Sequence, residues 1–427
     1  MFFSLIIKKK YRIFFLIFFS LLLLYLPIEL VDFSMHHDDD RRWIDNILSN
    51  ANSIKDYIDW IFMQVAAKFR PVTQLGYLIS WKLSIINHNL IFLVNILMLS
   101  FASFILFLIY VEKENHDQIY ENRYQKIILF LLISFAFATL RFHYYGIYNL
   151  AGLKEMLGLV ISSLFLYLII KQKFDLNKNS QYSIFINSLI IYNMLMYSHE
   201  IWLPFIFLLP AIKFFEFIFN ITKINFKIFL FYLIPSVATL FLFIILKTLI
   251  SNVIFVGLGP CPDLIHEFDP RRTFNQFGYS LQELMGFNGG PTYLNGDDYE
   301  SAIKSWGKSR IPVYFFPLFL ISCFIFFRNI YKNFKNPFFL GIFSIMLLSV
   351  LAASSTCRLE MRFFLPSSLL LFLILFYQKF NKLHEFKYKL LIIFILLQNL
   401  DYYTFGSNQM YYSTFYDKRP LIYIIKK

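Results

Sequence analysis

The chain has 427 residues, of which 58% are apolar and only 16% are charged, and its formal net charge is +13. Soluble domains carry about 25% charged residues, so this composition excludes an ordinary soluble protein. The basic residues stand between long apolar runs rather than on one soluble face. This placement argues against nucleic-acid binding and is typical of a chain oriented in a membrane.

The first apolar run predicts an uncleaved membrane span. A basic cluster over 8–12 precedes the apolar stretch 13–30. That stretch is too long for a typical signal-peptide core, and Glu29 and Asp32 stand where small residues would mark a cleavage site. We therefore expect a first transmembrane helix whose N-terminus is cytoplasmic.

Further apolar runs follow along the whole chain. A helix needs about 20 apolar residues to cross the hydrocarbon layer, and somewhat fewer where the bilayer thins. The sequence predicts eleven spans, over 13–30, 89–110, 126–140, 147–170, 183–197, 201–219, 228–250, 312–327, 337–354, 363–378 and 389–400. The expected fold is therefore all-α, a polytopic integral membrane protein with one domain over 1–427.

Charge asymmetry predicts the orientation of these spans. Basic residues concentrate in the segments that would be cytoplasmic, and the short loops on the other side hold few of them. The long segments 31–87 and 251–311 would then be extracytoplasmic loops. Cys261 and Cys357 would both lie outside, and whether they form a disulfide is left open.

Polar residues that are costly near a membrane gather on the predicted outer side. Five separate loops or span ends contribute carboxylates, arginines or histidines to it. They are Asp38, Asp39, Asp40, Arg70, Arg141, His143, Lys154, Glu155, His199, Glu200, Arg358, Glu360 and Arg362. One such group would have no meaning, but five on one side indicate a functional site.

The segment from His36 to Asp40 admits three interpretations. One aspartate could accept a proton from an acceptor hydroxyl as a general base. The oxygen and nitrogen ligands could instead bind a divalent cation, although adjacent residues cannot all face one ion. The third interpretation is a solvated acidic loop at the membrane surface. The general base is the interpretation we favour.

Two other motifs are equally open from the residues alone. Arg358 and Arg362 could grip phosphate oxygens with paired hydrogen bonds, or meet lipid headgroups with Glu360 as a local partner. His199 and Glu200 could belong to a site, or form a polar turn between two apolar runs.

Five motifs follow one another along the chain. They are the acidic pair Asp39-Asp40, the run from Phe69 to Tyr77 with Asn95 after it, the segment from His143 to Leu157, Ser198-His199-Glu200 with Pro204, and the segment from Arg358 to Pro366. In this order they resemble the motifs of the GT-C membrane glycosyltransferases, and most closely those of the O-mannosyltransferase-like branch. The run from Phe69 to Tyr77 is similar to that branch's RPLTxLSY signature. His199 stands where the family has a lysine, and Tyr145 where it has an acidic residue.

The resemblance implies an inverting glycosyltransferase whose donor is a polyprenyl-phosphate-linked sugar. It implies that Asp39 or Asp40 is the base, and that Arg358, Arg362 and His143 bind the donor phosphate. Arg70, Glu155, His199, Glu200 and Glu360 are further site candidates. The acceptor would be a glycan, lipid or protein outside the cell membrane, and no cofactor is required, although a divalent cation is compatible.

Two other functions fit the same composition. A lipid-linked glycan transporter or flippase would place charges near the bilayer midplane and show repeat symmetry, and neither is visible in the sequence. A polysaccharide polymerase would also act on an acceptor outside the membrane.

Overall fold

We describe a computed structural model of the protein. It describes residues 2–32, 47–63, 69–87, 89–115, 123–143, 146–147, 152–176, 178–219, 226–251, 270–287, 293–295, 312–355, 358–378 and 380–405. The acidic segment from His36 to Asp40, and both Cys261 and Cys357, lie outside these residues.

The described chain is almost entirely helical. Fifteen α-helices follow one another: α1 Phe2–Asp32, α2 Ile54–Phe62, α3 Pro71–Ile86, α4 Asn89–Asn115, α5 Arg123–Ala138, α6 Gly152–Ile170, α7 Gln181–Ser198, α8 Leu208–Ile218, α9 Phe226–Ser251, α10 Pro270–Met285, α11 Pro312–Lys332, α12 Pro337–Ser354, α13 Leu365–Phe376, α14 Phe380–Leu383 and α15 Phe386–Phe405. Three 3-10 segments lie between these helices. They are Arg141–His143, Glu200–Phe207 and Met361–Phe364. Two short strands, β1 Tyr293–Asn295 and β2 Arg358–Glu360, pair antiparallel.

This architecture confirms the expected all-helical membrane fold in its coarse form. Each of the eleven predicted spans coincides with a helix, or with a 3-10 segment and the helix after it. Among the described residues, six helices are long and apolar enough to cross a membrane: Leu90–Lys113, Gly152–Ile170, Glu200–Ile218, Phe226–Ile250, Phe315–Lys332 and Pro337–Ser354. Three shorter apolar helices are Tyr11–Leu26, Tyr124–Ala138 and Arg362–Phe376. The count of eleven crossings, and the side on which each loop lies, remain predictions.

Helix α13 forms the centre of the bundle. All of its residues are buried, as expected for a helix that is apolar on every side. It packs against α5, α6, α11 and α12. The 3-10 segment Met361–Phe364 leads directly into it, so Arg362 is placed at the end of the central helix.

The bundle has two chemically different ends. At one end, α6 begins, α7 ends and α13 begins, and this end carries Arg70, Glu155, Glu200 and Arg362. At the other end, the Nζ atom of Lys113 donates to the carbonyl oxygen of Tyr377 at 2.6 Å. Lys171 pairs there with Glu112, and Arg328 with Glu385. We call the first end the site end.

The second predicted outer loop is tied to the segment before α13. In the register of the strand pair, Tyr293 lies opposite Glu360, and Asn295 opposite Arg358. Helix α10 packs on α12, where the hydroxyl of Ser354 donates to that of Ser280 at 3.1 Å. The backbone that leads to Arg362 is therefore held by a second, distant part of the chain.

A glycine sets how closely α6 approaches the segment Glu200–Phe207. A Cβ atom on Gly158 would lie 2.1 Å from Nε1 of Trp202, which is fully buried. Only a residue without a side chain permits this contact, because two heavy atoms cannot approach so closely. Gly158 therefore fixes the distance between Glu155, one turn earlier, and Glu200.

We predict that Gly158→Ala destabilises the protein. Overpacking of a core costs about 1–3 kcal/mol, which outweighs the advantage of about 1 kcal/mol that alanine has in a helix. The matched control is Gly278→Ala, since nothing lies within 4 Å of a Cβ atom there. That control should be neutral or stabilising, as read by thermal unfolding in detergent. Equal unfolding temperatures for the two variants would contradict the packing argument.

We also predict opposite accessibility at the two ends of the bundle. Ser53 caps α2 in the predicted first outer loop, and Ser180 caps α7 at the end of that helix opposite the site. In a cysteine-free background, Ser53→Cys should react with an impermeant thiol reagent added to intact cells, whereas Ser180→Cys should react only after lysis. Efficient outside labelling of Ser180→Cys would overturn the predicted orientation.

Candidate functional site

The site is built around two buried carboxylates, of which Glu155 is the first. Glu155 lies in the first turn of α6 and is fully buried. The Nη1 atom of Arg362 donates to its Oε1 atom at 3.4 Å, across 207 residues of sequence. The contact joins the start of α6 to the start of the central helix, and it brings together two residues that the sequence singled out separately.

Two further groups face the same carboxylate. The Nζ atom of Lys154 lies 4.0 Å from Oε1 of Glu155, and the Nε2 atom of His199 lies 3.9 Å from it. Lys154 also donates to the hydroxyl of Tyr77 on α3 at 3.1 Å. The Oε2 atom of Glu155 has no hydrogen-bond partner among the described residues. One carboxylate therefore organises three basic groups, which come from α6, from the 3-10 segment before α13 and from the turn after α7.

Glu200 is the second carboxylate, and Arg70 is its ion-pair partner. Arg70 is the residue before α3, and Glu200 begins the 3-10 segment after α7. The hydroxyl of Thr73 donates to the carbonyl oxygen of Ser198, so the first turn of α3 is fastened to the end of α7. The arginine of the first outer loop is thus brought to the turn that bears His199 and Glu200.

His199 stands between the two carboxylates. Its Nδ1 atom lies 3.9 Å from Oε2 of Glu200 and accepts a hydrogen bond from the backbone N–H of Ile201 at 3.2 Å. The Nδ1 atom acts as an acceptor in this contact, and Nε2 is the ring nitrogen that lies 3.9 Å from Glu155. His199 therefore lies within reach of both carboxylates of the site.

Lys247 is a site residue that the sequence reasoning missed. It lies in the last turns of α9, is 8% exposed, and interacts electrostatically with Glu200 and Arg70. A row of rings leads to it: Phe69 contacts Tyr197 at 5.7 Å between centroids, Tyr197 contacts Phe243 at 5.8 Å, and the Nζ atom of Lys247 is 5.7 Å from the Phe243 ring. The sequence did contain a signal for Lys247, since a single lysine near the predicted outer end of an otherwise apolar span indicates a functional residue.

The described part of the site is electropositive. Four lysine and arginine side chains meet two carboxylates there, and His199 lies between the two carboxylates. The cations are Arg70, Lys154, Lys247 and Arg362, and the carboxylates are Glu155 and Glu200. Two positive charges remain in excess among these side chains, in surroundings that contain little water. Arginine and lysine in such a setting are the groups that proteins use for phosphate.

The remaining predicted site residues lie beside this cluster or outside the described side chains. The turn Arg141–His143 packs on the segment Met361–Phe364, with the rings of Phe142 and Phe364 5.5 Å apart. Burial lowers the pKa of the His143 imidazole to about 3, so any contact of this ring with phosphate would be as a neutral donor.

Four predicted site residues have side chains outside what the structure describes. Arg358 and Glu360 lie in β2 by their backbone, but their side chains are outside what the structure describes. Asp39 and Asp40 are outside it entirely. Among the described residues, no group of three histidine, cysteine or acidic side chains could hold a metal ion. A cation at the segment from His36 to Asp40 thus stays a prediction.

We predict that the Arg70–Glu200 pair behaves as a buried pair. Glu200→Ala leaves two cations without their carboxylate, and breaking a buried pair in this way costs about 3–5 kcal/mol. The double variant Arg70→Met with Glu200→Leu should recover much of that loss. The control is the partly exposed Glu385→Ala, whose partners are Arg328 and Lys387, and there we expect a loss of less than about 1 kcal/mol. Additive losses in the double variant, from unfolding in detergent, would show that the two residues are not coupled.

Comparison of the chain with family models, with curated proteins and with solved structures found no match.

Proposed function

We propose that the chain is a GT-C-type inverting glycosyltransferase of the cell membrane. It would move a sugar from a polyprenyl-phosphate donor to a hydroxyl of a cell-surface glycan, lipid or protein on the outer face. One observation supports this proposal most strongly: Arg70, Glu155, His199, Glu200 and Arg362, from four separate segments, meet at one end of the helix bundle.

The proposed chemistry is a single displacement at the anomeric carbon. The acceptor oxygen forms a bond to that carbon while the bond between the carbon and the donor phosphate oxygen breaks. The acceptor proton passes to Asp39 or Asp40, and the polyprenyl phosphate leaves with both bonding electrons. A carboxylate suits the first task, and the cation cluster suits the growing negative charge of the second.

Cations of the cluster are held in place before the donor arrives. Glu155 positions Lys154 and Arg362, and Glu200 positions Arg70. Groups that are already oriented toward the developing charge need no costly rearrangement during the reaction. In this proposal, Glu155 and Glu200 are positioning residues, and the cations are the groups that contact phosphate.

The location of the cluster favours an enzyme over a flippase or transporter. Transporters bind their substrates near the bilayer midplane, between broken helices. Here the clustered charges lie where α6 and α13 begin and where α7 ends. A donor whose phosphate sits at the headgroup level would reach them without crossing the membrane.

We predict that Arg362→Lys severely impairs transfer. Lysine keeps the charge but loses the paired hydrogen bonds to phosphate, and losing a group that stabilises the transition state costs about 10²–10³ in rate. The matched control is Arg328→Lys at the other end of the bundle, which should transfer normally. The measurement compares surface glycan and accumulated lipid-linked sugar in cells that carry each variant at equal protein level. Normal transfer by Arg362→Lys would refute a phosphate role for this residue.

A second prediction concerns the base. Asp39→Asn or Asp40→Asn should abolish transfer with normal insertion, because loss of a general base costs about 10²–10⁴ in rate. Asp38→Asn is the control and should be tolerated, since only the pair at 39 and 40 matches the family motif. If the Asp39→Asn, Asp40→Asn double variant still makes wild-type glycan, the first outer loop holds no base.

A further inference from the structure

Helices α2 and α3 form an antiparallel pair beside the bundle. Near the connection, the Nε1 atom of Trp60 donates to the carbonyl oxygen of Gln74 at 3.2 Å. Farther away, the Nζ atom of Lys82 donates to the hydroxyl of Tyr57 at 3.2 Å. The end of α2 thus contacts the start of α3, and the middle of α2 contacts the later part of α3, as in an antiparallel pair. We call this pair the α2–α3 hairpin.

Helix α2 keeps an apolar stripe uncovered. Tyr57, Trp60 and Ile61 pack in the small core between the two helices. Ile54, Ile58 and Phe62 recur every four residues on an adjacent face, and Ile54 is 79% exposed. The exposed Lys55 and Asp59 occupy the side beyond that stripe. Helix α2 therefore has three different faces. One is packed against α3, one is apolar and exposed, and one is charged.

Helix α3 also combines a packed face with an uncovered apolar stripe. Its Tyr77, Leu78 and Trp81 pack toward α2. Its own uncovered stripe recurs at helical spacing and includes Leu75, Ile79 and Ile86, of which Ile86 is 75% exposed. The apolar surface left open on the hairpin is therefore shared by both helices.

The two stripes lie on the same side of the hairpin. An α-helix has 3.6 residues per turn. On each helix, the exposed stripe is rotated from the packed face by about a third of a turn around the helix axis, in the direction in which the residue number increases. In two antiparallel helices that face each other, equal rotations of this kind lead to the same side. The exposed residues of α2 and α3 thus form one continuous apolar face.

Lys82 lies on α3 between the packed face and the exposed stripe. It is exposed, and its Nζ atom lies 4.9 Å from the Tyr57 ring and 4.6 Å from the Trp81 ring. A lysine whose stem follows apolar surface and whose ammonium meets aromatic rings is typical of the layer between water and lipid.

We propose that the α2–α3 hairpin lies in the membrane interface at the site end, with its apolar face in lipid acyl chains. The occupant is the bilayer because the apolar exposure continues across the helices that can span it, for example at Leu97 and Phe101 of α4, the helix that follows α3. A short amphipathic helix with one charged face and one apolar face is the form that binds at such an interface. This proposal does not depend on the glycosyltransferase activity.

The test measures the depth of one face of α2 in lipid. Ile58→Cys and Asp59→Cys are made in a background with all three native cysteines replaced, labelled with an environment-sensitive fluorophore, and reconstituted in phosphatidylcholine vesicles. The probe at position 58 should emit at shorter wavelength and be quenched several-fold more by lipids brominated on their acyl chains. The probe at position 59 is the matched control and should be quenched mainly by a water-soluble agent.

Other occupants give other results. Equal quenching by the water-soluble agent at both positions would overturn the proposal in favour of an open loop. A shielded probe at position 58 that brominated lipid does not quench would assign the face to a second copy or another protein. A photo-crosslinking amino acid at Ile58, in the chain with its native cysteines, gives a second readout. It should form adducts with lipid, whereas the same group at Asp59 should not.

Discussion

The site end of this bundle depends on one constraint, the neutralisation of two carboxylates in surroundings that contain little water. An isolated carboxylate there would cost several kcal/mol in lost hydration, so cations must come to it from other segments. Glu155 is met by Arg362 and Lys154, and Glu200 by Arg70. Together with the hydrogen bonds from Thr73 to Ser198 and from Lys154 to Tyr77, these contacts join the start of α3, the start of α6, the end of α7 and the start of α13.

Neutralisation alone does not explain why the charges are present. A buried ion pair is often no more stabilising than apolar side chains of similar volume. Stability alone therefore does not require charged residues at these positions. At the other end of the bundle, the Arg328–Glu385 pair is partly exposed and carries no such cost. Charged groups that are expensive, mutually oriented and gathered at one end are typical of a functional site. Their excess of cations is the reason that we propose phosphate as the ligand.

The sequence predicted the positions of the helices and several members of the cluster. Hydropathy is a local property, so each apolar run could be read without knowledge of its neighbours. Arg70, Glu155, Glu200 and Arg362 were recognisable because charge is costly at the ends of apolar runs. The sequence could not predict which cation meets which carboxylate, since that depends on tertiary packing. Lys247 was missed because its surroundings are a row of rings from α7, from α9 and from the segment before α3. The close approach of Gly158 to Trp202 has no local signal either.

Helix α3 connects the two surfaces that the structure brings together. Its Thr73 and Tyr77, with Arg70 directly before it, contact the charged cluster and the end of α7, whereas Leu75 and Ile79 belong to the uncovered apolar face. A polyprenyl phosphate has the same division, with an apolar chain that stays in the bilayer and a phosphate at its surface. A helix that lies at the interface would hold the cations at the depth where such a phosphate lies. In the proposed function, the charged cluster and the uncovered apolar face would therefore meet the charged and apolar parts of one ligand on opposite sides of one helix.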